Sequence, residues 1–179
     1  MEADGGRASR NGSFSTEVKQ TNAARHDIKY GLALGSGSAR GWSHIGVLRA
    51  LEERGIRPSV VSGSSTGSLV AAAYASEQLD ALEDWARKLT KIDVWSLLDA
   101  KFVGGGVMRG NRLMRAVAEQ LEDRPIESLP HRFGAVAVDL NTGREIWIQH
   151  GSMLDAVRAS SGLPGLFTPA RHDDRWVID

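Results

Sequence analysis

Hydrophobic and polar positions along this chain follow two rhythms in alternation. Residues 28–34 (Ile-Lys-Tyr-Gly-Leu-Ala-Leu) form a short, mostly apolar run that reads as a strand. Residues 42–54 place Ile45, Leu48, Ala50 and Leu51 on one helical stripe, and Gly55 stops it. Residues 58–62 read as a second strand. Residues 66–76, with Leu69, Val70, Ala71, Ala72 and Ala73, read as a helix of small residues suited to close packing. Two amphipathic helical patterns follow at 80–91 and 109–122. Residues 132–139 and 144–149 flank the turn Leu140-Asn141-Thr142-Gly143 and predict a hairpin. Ser152 is placed to cap a helix over 152–160, with Asp155 at its third position, and residues 175–178 begin another strand. Strand–helix–strand alternation predicts an α/β layer fold with parallel pairing in its first unit. Residues 1–27 are polar and aperiodic, and are expected to form a disordered tail before a domain over 28–179. That tail lacks the continuous apolar region of a secretory signal.

Composition narrows the function classes. A chain of 179 residues, 41% of them hydrophobic, suffices for one domain burying roughly 70% of its extended surface. Nowhere does an apolar run approach the ~20 residues of a membrane span. Lys plus Arg and Asp plus Glu each number 22, a balance that argues against a dedicated nucleic-acid binder. The chain has no Cys, which excludes disulfides, thiol nucleophiles and Cys-ligated zinc.

The strongest chemical signal is Gly63-Ser64-Ser65-Thr66-Gly67, a G-x-S-x-G pattern after a short apolar strand and before a helix. In that setting it is a nucleophile elbow. Gly63 and Gly67 allow a sharp turn, the turn exposes the Ser65 hydroxyl, and the following helix aims its positive end at the site. The plainer alternative is a Ser/Gly turn between two elements.

A second glycine-rich turn, Gly35-Ser36-Gly37-Ser38-Ala39-Arg40-Gly41, also lies between a strand and a helix. Backbone N–H groups in such a turn hold a phosphate or an oxyanion. As a dinucleotide cradle it would need an acidic residue about 20 residues on, at the end of the second strand. The second strand ends in the serine elbow instead. Among candidate bases, His131, His150 and His172 follow the elbow, and each reads more plainly as a surface residue. His172 belongs to Arg171-His172-Asp173-Asp174, which looks like a solvated hairpin tip. His44, beside the glycine loop, reads as a local packing or capping residue. The five Trp residues are scattered and read as packing or half-exposed, with a lipid-facing role for Trp95 or Phe102 the lesser reading. Gly104-Gly105-Gly106 reads as a flexible loop over the site.

The stretch from Leu32 through Gly41 to Leu48 resembles the opening motif of the patatin-like phospholipases, in their small bacterial subgroup. Gly63 to Gly67 resembles that family's nucleophile elbow. The segment Ala159-Ser160-Ser161-Gly162-Leu163-Pro164-Gly165-Leu166-Phe167-Thr168-Pro169 resembles its third block, and Val177-Ile178-Asp179 the start of its closing motif. The resemblance covers 29–179 and implies a three-layer fold with a mainly parallel central sheet flanked by helices. It implies a Ser–Asp dyad without a catalytic histidine: Ser65 attacks an acyl ester and Asp179 relays the proton. Backbone amides around Gly37 and Ser38 would hold the oxyanion, with Arg40 fixing the loop and Gly41 closing it. Ser36-Gly37-Ser38 departs from the family's three successive glycines. The family's glycines after Asp179 do not follow here, and a chain stopping as a strand ends is expected to be part of a longer domain whose final Asp179 frays.

The resulting expectation is a serine hydrolase of lipid acyl esters, of phospholipid or lysophospholipid class. It would need no metal or organic cofactor, work in the cytoplasm, and have scope for peripheral membrane contact. Its oligomeric state is not legible. Two rival readings stay open: an impaired hydrolase scaffold with a regulatory or interaction role, and a nucleotide-binding α/β module. The dyad reading makes a direct prediction. Each of the five histidines should tolerate replacement by Gln in the active protein with a loss in kcat well below ~10³-fold, the scale of losing a general base.

Overall fold

A computed structural model describes residues 29–90, 92–93, 111–164 and 167–179. The expected tail over 1–27 and the readings of Trp95, Phe102 and Gly104-Gly105-Gly106 lie outside the described residues. The elements run β1 (Gly31–Leu34), α1 (Ser43–Glu53), β2 (Val60–Gly63), α2 (Thr66–Ala75), α3 (Leu79–Lys88), α4 (Asn111–Ala118), β3 (Arg132–Asp139), β4 (Glu145–Ile148), α5 (Met153–Ser160), β5 (Ala170–His172) and β6 (Arg175–Ile178). The loop expected over 35–41 is not all loop: Ser38–Trp42 winds into a 3₁₀ turn that leads into α1. Strand β5 has no signal in the sequence because three residues show no period, although the hairpin tip after it is legible.

An α/β fold results, parallel through β1, β2 and β3, with β4, β6 and β5 added by antiparallel pairing. The register on β3 decides the geometry of the site. Ala135 lies between Gly63 of β2 and Ile148 of β4, and Val138 lies between Glu145 of β4 and Ile178 of β6. A strand residue has one partner on each side, so β4 occupies one edge of β3 while β2 and β6 share the other. Strand β2 stops at the level of Ala135, and β6, running the opposite way, stops at the level of Val138. Their C-terminal ends therefore meet across the level of Val136 and Ala137.

The described helices gather on one face of the sheet, the face that carries Leu34, Val61, Phe133, Ala135 and Ala137. Helix α2 lies directly over β1, β2 and β3, and every residue from Gly67 to Ala75 is buried. A helix apolar all round belongs in a core, and small side chains let it approach the sheet closely. Helices α1 and α3 are tied by Arg49, whose guanidinium donates to Glu83 at 2.9 Å and Glu52 at 3.2 Å, and also to Asp80. The opposite face, where Val60 and Trp147 are exposed, carries no helix among the described residues, so these supply the sheet and one helical layer.

The β3–β4 turn is built on Asp139. Its buried carboxylate accepts the N–H groups of Asn141 (2.8 Å) and Thr142 (3.0 Å), and Gly143 completes the turn at φ 66°. These N–H groups, Thr142 first, hold the carboxyl below its ordinary value, with Arg175 a smaller cause. A depressed carboxylate stabilises the fold fully above its unfolded value of about 3.9, and that contribution is lost as pH falls through the folded value. Asp139→Ala is therefore expected to lower the thermal midpoint at pH 7. Asp139→Asn should narrow its gap to the parent chain as melts are repeated from pH 6 down to pH 3. A gap constant across that range would refute the assignment.

Candidate active site

Ser65 stands between β2 and α2 with φ 54° and ψ −126°, a left-handed backbone position that costs a non-glycine residue about 1–3 kcal/mol. Close packing imposes it. A Cβ on Gly63 would lie 2.3 Å from the Gly67 carbonyl carbon, and one on Gly67 would lie 2.2 Å from the Leu34 carbonyl oxygen. The end of β2, the first turn of α2 and the end of β1 thus touch backbone to backbone, which only glycine permits at those two places.

Hydrogen bonds then fix the strained residue. The Ser65 N–H donates to Ser160, to the carbonyl oxygen at 3.0 Å and to Oγ at 3.1 Å. Ser160 Oγ donates in turn to the Val136 carbonyl at 2.5 Å, in the gap between β2 and β6. The Ser65 carbonyl accepts the N–H of Ser68 at 2.9 Å and its Oγ at 2.6 Å. The main chain of Ser65 is thus satisfied, while its Oγ makes no hydrogen bond among the described residues. Ser160 is legible in the sequence only as part of a motif block. Its role needs the β3 register to appear.

Asp179 follows β6 and arrives beside the elbow. Its N–H donates to Gly162 O at 3.1 Å, and its Oδ1 accepts from Ser64 Oγ at 3.1 Å. These two contacts tie the residue to Gly162 and to the elbow. Its Oδ2 is buried and has no partner among the described residues. A buried carboxylate oxygen without a donor is costly and marks a place prepared for one.

The glycine loop lies across from the elbow. Ser38 takes φ 46° and its carbonyl accepts from Thr66 Oγ1 at 3.0 Å, tying loop to elbow. A Cβ on Gly41 would come 2.6 Å from Thr66 Cβ, so the same contact excludes any side chain there. The N–H groups of Ser38 and Ala39 precede the first hydrogen bond of the 3₁₀ turn and are unpaired among the described residues. Arg40 holds the loop through its main chain, N–H to Gly37 O at 2.9 Å. The residue is exposed in the cavity-side loop. His44 Nε2 meets Gly35 O at 2.9 Å, the local role expected of it.

A cavity of about 330 Å³ opens at Ser65 and Ser38, with Trp42, Leu69, Trp85 and Phe167 among its walls and no histidine among the described residues that line it. Trp42 and Trp85 meet edge to face at 6.0 Å. They read from sequence as packing residues, and they do pack, while forming part of this apolar wall. His131 stacks on Tyr74, and His150 and His172 stand against each other, separate from this cavity.

The Patatin-like phospholipase family profile matches residues 32–179. An uncharacterized NTE family protein of Mycobacterium tuberculosis is 40% identical over 148 residues, covering 83% of this chain and 41% of the relative. Patatin-like phospholipase domain-containing protein 6 of Homo sapiens is 34% identical over 143 residues, 77% of this chain and 10% of that protein. The crystal structure of VipD from Legionella pneumophila aligns at a TM-score of 0.58 and 16% identity, over 84% of this chain and 45% of that one. That last likeness concerns the fold.

The backbone contacts of the elbow carry a stability prediction. Gly67→Ala should destabilise the chain by about 1–3 kcal/mol or more, since its methyl meets backbone that cannot give way. Gly46→Ala, at a helical position with nothing within 4 Å, should be neutral or stabilising by up to about 1 kcal/mol. Denaturant midpoints of the two variants test the contrast.

Proposed function

The chain belongs to the patatin-like phospholipase family, a family of lipid hydrolases, and from that premise we propose that residues 28–179 form a domain that cleaves lipid acyl esters with Ser65 as nucleophile and Asp179 as base. The observation that carries this reading is the buried, unpartnered Oδ2 of Asp179 beside an elbow whose Ser65 Oγ is itself unpaired.

In the proposed reaction Ser65 Oγ attacks the acyl carbonyl carbon and gives its proton to Asp179 Oδ2. Ser64, bonded to Oδ1, keeps the carboxylate turned toward the elbow. The carbonyl oxygen becomes an oxyanion, received by the amides around Gly37 and Ser38 at the start of the 3₁₀ turn, where each donor is worth about 10²–10³ in turnover. Asp179 returns the proton to the leaving alcohol, leaving an acyl-serine. Water then attacks the acyl carbon, with Asp179 taking its proton and passing it back to Ser65 Oγ as the acid departs. Serine, carboxylate and amides suffice for these steps, so the chemistry calls for no cofactor.

Substrate class follows from the walls. An apolar cavity beside the nucleophile suits an acyl chain, and hydrophobic lining with few polar groups is what such a ligand requires. A phospholipid or lysophospholipid ester fits this description, reached by peripheral contact with a lipid surface. No helix of the described residues is long and apolar enough to cross a membrane. A nucleotide-binding module has less support, because the loop faces a serine elbow rather than an acidic strand end. An impaired scaffold remains the rival that experiment must separate.

A fluorophosphonate probe is expected to label Ser65, and Ser65→Ala should abolish both labelling and hydrolysis of a short-chain nitrophenyl ester. Asp179→Asn should lower kcat by about 10²–10⁴. Mass-spectrometric mapping of the label to Ser38 or Ser161 would overturn the assignment. Absence of labelling in a folded chain would favour the impaired scaffold.

A further inference from the structure

We propose that His150, His172 and Asp173 form a binding site for one divalent transition-metal ion of the zinc class, at the tip of the β5–β6 hairpin and away from the Ser65 cavity. One donor atom from each residue lies within 4.8 Å of the other two. Asp173 Oδ2 stands 3.6 Å from His150 Nε2 and 3.7 Å from His172 Nε2. Zinc bonds of about 2.0–2.2 Å set donors on one ion roughly 3.3 Å apart in tetrahedral geometry. The Asp173 oxygen stands within about 0.4 Å of that spacing from each imidazole nitrogen. Two imidazoles and one carboxylate suit zinc, nickel or cobalt, whereas magnesium and calcium prefer oxygen donors alone.

The backbone adds an independent observation. Asp173 is the first of two tip residues between the paired His172 and Arg175, and it holds φ 42°. Glycine is the cheapest occupant of that conformation. Here an aspartate occupies it and turns its carboxylate toward two imidazoles from different parts of the chain. The three residues line a cavity of about 430 Å³ together with Glu127, Asp155 and Arg171. Arg171, the cation in that wall, is drawn aside: it donates to Asp174 Oδ1 at 3.2 Å and lies over the Trp176 ring at 5.4 Å. Glu127 spends its oxygens on the Gly151 N–H, each at 3.2 Å. The local balance is thus acidic. His172 is mostly covered, while His150 and Asp173 are open enough for an ion and its remaining waters to enter.

The test uses the tag-free chain, stripped with a chelator, and calorimetric titration with zinc chloride at pH 7.5. One ion per chain is expected, with no competition from excess magnesium. Asp173→Gly and the double variant His150→Gln/His172→Gln should each weaken binding by at least about 10-fold, the loss that removing even an outer partner of a metal site causes. Asp173→Gly also suits the turn, so its thermal midpoint should be unchanged or higher, which keeps a folding failure from mimicking lost binding. In the unaltered chain, cobalt should give ligand-field absorption, and zinc should shift the ring ¹⁵N resonances of two histidines, His150 and His172. No uptake, uptake undiminished in these variants, or shifts at other histidines would overturn the site. None of these readouts depends on ester hydrolysis.

Discussion

Along one edge of β3, β2 runs in parallel as far as Ala135, while β6 comes the opposite way and ends beside Val138. Between them the Val136 carbonyl faces no strand, and a buried carbonyl left unpaired costs about 1–3 kcal/mol. Ser160 fills that position with its Oγ and, from the same residue, takes the N–H of Ser65. The break in strand pairing and its repair by one serine therefore determine where the elbow sits. They also bring the residue after Ile178 to Ser64, and that residue is Asp179.

The strain at Ser65 is sustained by this arrangement. A left-handed serine persists only where its surroundings over-determine it. Here the surroundings are three backbone segments in contact at Gly63, Gly67 and Leu34, plus donors from Ser68 and acceptors on Ser160. Thr66 joins the elbow to the glycine loop through Ser38, so one hydrogen bond ties the residue after Ser65 to the loop that carries the unpaired amides. The apolar helix α2 anchors the elbow to the sheet.

The β5–β6 hairpin links two features at its opposite ends. Its tip brings Asp173 to His150 and His172, and its last strand delivers Asp179 to the elbow. Arg175, the first residue of β6, approaches the buried Asp139 carboxylate at 3.8 Å.

Much of the fold is legible in the sequence because its signals are local. The stripe of Ile45 and Leu48, the Ser152 cap, whose Oγ accepts from Asp155 N–H at 3.0 Å, and the 132–149 hairpin depend on neighbours in sequence. The elbow is legible for the same reason, since the two glycines that allow it lie within four residues of each other. Short elements without a period, such as β5 and the 3₁₀ turn over Ser38–Trp42, give no such signal. The partners that matter most to the site are distant along the chain. Ser64 and Asp179 are 115 residues apart, Ser65 and Ser160 are 95 apart, and Val136 and Ser160 are 24 apart. Side chains so far apart carry no pattern that links them, and only the register of β2 and β6 on β3 brings them together. The sequence by itself determined which residues could turn, cap and attack. The tertiary structure decided which carboxylate faces the elbow and which histidines meet, because those choices rest on strand pairing and packing between segments that the chain does not place side by side.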